Sequence, residues 1–118
     1  MDELRTRRVA EAMREELSEL VRFEVGDPRV QGIEVADVIV SPDMRRADVL
    51  VVVTGTAGER QAALEGLDAA RHYLRRSLMQ RMDLFRMPEL RFRPAVEVPG
   101  AESLARLRRR IRRGRPRG

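Results

Sequence analysis

The sequence predicts a single α+β domain in the order helix, strand, strand, helix, helix, strand. Three observations carry this. A stripe of apolar residues at spacings of three and four opens the chain and stops at Gly26-Asp27-Pro28. Two runs rich in β-branched residues are then joined by "SPDMRR" (41–46). A long apolar stripe follows in which one arginine, Arg71, falls where the pattern demands an apolar residue. A chain of 118 residues suffices for one compact core and is too short for two.

From Glu3 to Val25, the positions Val9, Met13, Leu17, Leu20 and Val21 lie on one helical face, with Glu11, Glu15 and Glu19 away from it. Asp2 suits the N-cap. Pro28 ends the helix, because it lacks the next donor and pushes Asp27 out of the α region. Residues 33–40 and 47–53 read as strands, the second with Ala47, Val49, Val51 and Val53 on one face. Between them Pro42 fits the second position of a type I turn, with Ser41 and Asp43 bonding nearby backbone and Arg45 and Arg46 near the tip.

Thr56 and Glu59 form a capping box, so a helix starts near Ala57. Its stripe runs Leu64, Leu67, Ala70, Leu74, Leu78, Met82. A straight helix would place Arg71 near the centre of that face and Tyr73 opposite, so a break around Ala70–His72 is expected. The alternative is a straight helix whose Arg71 snorkels outward. Beyond Met87-Pro88, residues Leu90, Phe92, Ala95, Val96 and Val98 read as a last strand interrupted by Pro94. The domain is expected to span residues 1–99. Residues 100–118 form a basic tail, expected to be disordered alone, with Leu104, Leu107 and Ile111 able to line a short amphipathic turn or two.

The charge lies unevenly. All 24 basic residues are arginine, and eight follow Ala105, where there is no acid. Residues 1–105 therefore hold 16 arginines against 19 acids, a net of −3, and the tail holds +8. Such a tail meets a polyanion or merely aids solubility. The chain has no cysteine and one histidine, His72, and no phosphate-binding or dinucleotide motif, so neither an enzyme nor a cofactor is expected. "GTAG" (55–58) resembles the RNA-clamping loop of KH domains, but here it joins a strand to a helix and is read as a turn. Phe23, Tyr73, Phe85 and Phe92 are the whole aromatic set, too few for a base-stacking sheet. The three phenylalanines are expected in the core, and Tyr73 in a buried hinge.

Arg71, Arg75, Arg76 and Arg81 gather with no acid between Asp68 and Asp83. With Ala70 at the break, Arg45 and Arg46 on the hairpin, and Arg106, Arg108, Arg109, Arg110, Arg112 and Arg113 in the tail, they form the expected RNA-binding set. Arginine's planar fork grips phosphate oxygens in pairs, which suits backbone and shape recognition over base readout. No metal site or membrane helix is expected, and a cytoplasmic monomer is the default. Two rival readings are a module that docks a basic partner on the acidic first helix, and a membrane anchor built from residues 103–117.

The element order is that of a type II KH-like domain. The stretches "VSPDMRRADVLV" (40–51), "LDAARHYLRRSL" (67–78) and "PELRF" (88–92), preceded by "RRVAEAMREELSELV" (7–21) and "DPRV" (27–30), resemble the ribosome-binding factor A family over about residues 5–93. The resemblance implies a KH-like fold in which an alanine-centred kink replaces the G-x-x-G loop. It also implies a non-catalytic role in late maturation of the small ribosomal subunit and 16S rRNA processing. The partners would be the free small subunit and its 16S rRNA, met near the neck of the subunit by the kinked helices at Ala70, Arg71, Arg75 and Arg76. Two positions depart from the family pattern: Ala70-Arg71-His72 lacks the kink glycine, and Arg93-Pro94-Ala95 replaces an acidic, polar continuation. The first predicts a kink that is shallower or displaced by one residue.

Overall fold

The computed structural model describes residues 3–84 and 86–95. Helix α1 (Glu3–Phe23) is followed by a single 3-10 turn (Pro28–Val30) and then by strands β1 (Glu34–Val40) and β2 (Arg46–Val52). Helices α2 (Ala57–Ala69) and α3 (Arg71–Arg81) and strand β3 (Glu89–Pro94) complete the expected order. Asp2, Phe85, Val96, Val98 and the whole tail, with its six candidate arginines, lie outside the described residues.

β2 is the central strand of three. It pairs antiparallel with β1 across the hairpin and parallel with β3. Parallel strands need a crossover connection of a dozen or more residues, and the α2–α3 pair supplies it between β2 and β3. A bulge between Val35 and Asp37 turns both Val35 and Ala36 inward. The buried face of the sheet, built from Val38, Val40, Ala47, Val49, Val51 and Leu90, meets Met13, Leu17 and Leu20 of α1 and Leu67, Leu74 and Leu78 of the helix pair in one core.

The stops and starts have local causes. Asp27 caps the 3-10 turn, its Oδ1 accepting the Arg29 N–H at 2.9 Å. Thr56 Oγ1 accepts the Glu59 N–H at 3.1 Å, and Glu59 Oε1 accepts the Thr56 N–H at 3.0 Å, the reciprocal box expected from the sequence. Gly66 lets α2 lie close on the 3-10 turn; a Cβ there would sit 3.0 Å from Val30 Cγ1.

Two aromatic residues sit elsewhere than expected. Phe23 is 72% exposed, with the Arg22 guanidinium 5.3 Å from its ring centre. At about 100° per residue it projects roughly 90° away from the Met13–Leu17–Leu20 face, so its hydrophobicity misplaced it where its angle would not have. Tyr73 is 41% exposed and is no hinge, because the break falls three residues earlier. Phe92 is partly buried against the core, as expected in kind.

These placements predict opposite responses. Leu74→Ala should cost about 2–5 kcal/mol in denaturant unfolding, as for other fully buried leucines. Phe23→Ala should change stability by less than about 0.5 kcal/mol.

Candidate nucleic-acid interface

The helix break is centred on Ala70. Its φ of −89° and ψ of 2° leave the α region, and its N–H is shared between the Gly66 and Leu67 carbonyls at 3.1 Å each. Its own carbonyl accepts the Leu74 N–H at 2.9 Å, so α3 begins at once. The break is neither displaced nor dependent on glycine. It keeps Leu67 and Leu74 fully buried while leaving Arg71 half-buried, its Nη1 3.6 Å from Asp68 Oδ1.

The buried stripe Leu74–Leu78 gives α3 two flanks. Arg71 and Arg75, one turn apart, occupy the flank beside the lead-in to β3, where Arg75 Nη2 donates to the Met87 carbonyl at 3.2 Å. Arg76 projects to solvent with His72. The other flank faces α1: Tyr73 donates its hydroxyl to Glu24 Oε1 at 3.0 Å, and Arg81 bonds Glu16, Glu19 and Glu24, each at 3.1 Å. The Glu16 carboxylate, and after it that of Glu19, raises the already high pKa of Arg81. Arg81 is therefore held by acids and separated from the basic flank it was grouped with by sequence. The same bonds occupy Glu16 and Glu19, two of the α1 acids to which a basic partner would have docked.

The hairpin arrives at the basic flank. Ser41 to Met44 forms a turn with the Met44 N–H donating to the Ser41 carbonyl at 2.9 Å, and Pro42 sits second in it as expected. Ser41 Oγ donates to Asp43 Oδ1 at 2.6 Å and accepts the Arg46 N–H at 3.0 Å; Asp43 Oδ1 also accepts the Arg45 N–H at 3.1 Å. Met44 takes a left-handed φ of 62°, uncommon for a residue with a side chain, and its side chain is buried in the core. With Met44 turned inward, Arg45 and Arg46 are exposed and have no ion pair among the described residues. The Arg45 carbonyl accepts the Glu89 N–H at 2.9 Å. Residues Met87–Glu89 thus touch Arg75 on one side and Arg45 on the other, bringing hairpin tip and kinked helices to one end of the sheet.

Neither Met44 as the anchor of the tip nor the Glu24–Tyr73–Arg81 contacts were found from sequence. A methionine among turn residues is the only local signal for the first. The second joins residues 49 and 57 positions apart, with none. "GTAG" is structural: Gly55, at φ +127°, precedes the Thr56 cap, and Gly58 lies in the first turn of α2. Among the described residues, no group of three or more metal-binding side chains occurs and no helix is long and apolar enough to cross a membrane.

The sequence model of the family described as ribosome-binding factor A matches residues 5–108. The chain belongs to that family. Curated relatives include ribosome-binding factor A of Solibacter usitatus, 49% identical over 92 residues, covering 78% of this chain and 75% of that one. Ribosome-binding factor A of Thermomicrobium roseum is 37% identical over 117 residues, 99% of this chain and 91% of its own. Among solved structures, the crystal structure of the Thermus thermophilus protein matches with a TM-score of 0.71 at 26% identity, covering 80% of this chain and 99% of that one. A homology model of the T. thermophilus protein, fitted into a cryo-electron-microscopy map of a 30S complex, matches with a TM-score of 0.63 at 27% identity, over 76% of this chain and 94% of that one. The mixed sheet and kinked helix pair described above are the KH-like architecture of this family.

Acid should loosen the hairpin and the start of α2. The Ser41 hydroxyl and then the Arg45 N–H hold the Asp43 carboxyl below its usual range, and the Thr56 N–H and hydroxyl do the same for Glu59. A depressed folded pKa gives stability that is full above the ordinary carboxylate range of about 4 and is lost as pH falls through the lower folded values. The acid side of a melting-temperature profile should therefore flatten in Asp43→Asn with Glu59→Gln, with a lower plateau near neutral pH.

Proposed function

We propose that Arg71, Arg75 and Arg76 around the Ala70 break, with Arg45 and Arg46 at the hairpin tip, form the surface that this chain turns toward rRNA. As a member of the ribosome-binding factor A family, it acts in maturation of the small (30S) ribosomal subunit and in 16S rRNA processing. It binds the free subunit as a monomer in the cytoplasm and catalyses nothing. The observation that carries the surface assignment is the bridge at Met87–Glu89, which brings half-buried Arg75 of the helix pair and exposed Arg45 of the hairpin, two distant stretches, to one end of the domain.

Within this surface the arginines have different work. Arg75 also ties α3 to the lead-in of β3, so its loss costs local structure as well as charge. Arg76, Arg45 and Arg46 are exposed and spend no ion pair among the described residues, which suits them to phosphate. The chain's four aromatic residues are too few for a base-stacking platform, so recognition rests on backbone charge and the shape of the subunit. Residues 100–118, treated as a separate segment, add affinity for any polyanion through their eight arginines.

Co-sedimentation with isolated small subunits across a salt series, with large subunits as control, tests this. The full chain should pellet with small subunits selectively, and a truncation after Ala105 should keep that selectivity with weaker binding. Arg71→Glu with Arg76→Glu should flatten the plot of log affinity against log salt by about 1.4 to 1.8, the value for two lost phosphate contacts. Equal pelleting with both subunits, abolished by the truncation, would put the binding on the tail and refute the surface.

A further inference from the structure

The seam between α1 and α3 holds a charge cluster that the proposed surface leaves unused. Arg81 Nη1 lies 3.1 Å from both Glu16 Oε1 and Glu19 Oε1, and Nη2 lies 3.1 Å from Glu24 Oε2. The second oxygen of Glu24 accepts the Tyr73 hydroxyl, which fixes that carboxylate from behind. The Arg81 side chain is 28% exposed, while Glu19 and Glu24 are more open to solvent. One positive charge facing three negative ones leaves the cluster at −2. A polyanion approaching this corner meets carboxylates, although an arginine lies at its centre.

We infer that Glu16, Glu19 and Glu24 withhold Arg81 from rRNA and make the α1 side of α3 an acidic border that confines RNA to the opposite flank. The inference rests on the surface proposed above. A guanidinium offers phosphate its paired N–H donors, and here donors on both terminal nitrogens are directed at carboxylates that hold the positions phosphate oxygens would need. A phosphodiester carries one charge. To use Arg81 it would have to displace the carboxylates and then stay beside them, at a net repulsion. The contacts come from Glu16 and Glu19 on α1, Glu24 just beyond its end, and Arg81 at the end of α3, so the border also fixes how α3 lies on α1.

Salt dependence separates this inference from a purely structural ion pair, because its slope counts the cations displaced by phosphate contacts. The probe is transcribed 16S rRNA, titrated with the full chain, with Glu16→Gln/Glu19→Gln/Glu24→Gln, with Arg81→Gln, and with all four changes together. Freed Arg81 should steepen the slope of the triple variant by about 0.7 to 0.9, and adding Arg81→Gln should remove that gain. In the natural background Arg81→Gln should leave the slope unchanged. A shallower slope there would show that Arg81 reaches phosphate when RNA is bound and would overturn the inference. No gain in the triple variant would overturn it equally. Thermal unfolding checks each variant, and if the triple variant is unfolded, Glu24→Gln alone, which releases Nη2, should give a smaller gain in the same direction. A slope indifferent to Arg71→Glu with Arg76→Glu would instead place the failure with the proposed surface and not with the acidic border.

Discussion

Ala70 leaves the helical region by a single torsion, with ψ at 2° and its N–H divided between two carbonyls, and the rest of the basic surface depends on that turn. The apolar stripe from Ala63 to Leu78 must reach the same sheet from two helices. In a straight helix Arg71 would lie within that stripe, where burying its charge without a partner would be costly. Breaking the helix at one residue keeps Leu67, Leu74 and Leu78 fully buried and returns Arg71 to the edge of the core, beside Asp68. The break also sets the direction of α3, and so decides which of its arginines face the β3 lead-in and which face α1.

Arginines of similar local sequence therefore have different fates. Arg75 bonds a backbone carbonyl, Arg76 faces solvent, and Arg81 is surrounded by the acids of α1. Charge counted along the chain treats them alike. What differs is the flank on which each lies, and flanks are defined by the buried Leu74–Leu78 stripe between them. The hairpin follows the same logic in miniature, since burying Met44 at a left-handed position turns its neighbours Arg45 and Arg46 outward.

A body with net negative charge can still bind RNA when its charges are sorted by face. Glu16 and Glu19 of α1, with Glu24 just beyond it, are tied up on one side of α3, while exposed Arg45 and Arg46 lie at the end of the sheet where hairpin and helix pair meet. That separation favours one orientation on a polyanion, whereas a uniformly basic surface would favour many. The family's solved structures share this architecture, so the sorting is built on a common frame.

By itself the sequence determined the elements. Periodicity located α1 and the strands, the Thr56–Glu59 box set the start of α2, Ser41-Pro42-Asp43 closed the hairpin, and the misfit of Arg71 marked the helix break. All of these are signals between residues a few positions apart, where local geometry links pattern to conformation. Tertiary structure alone decided the bond of Tyr73 to Glu24, the meeting of Arg45 with Arg75 across Met87–Glu89, and the capture of Arg81 by Glu16, Glu19 and Glu24. Those outcomes depend on how α3 lies against α1 and against the sheet. Packing of the core fixes that arrangement, and no spacing along the chain encodes the partner of a side chain some sixty residues away.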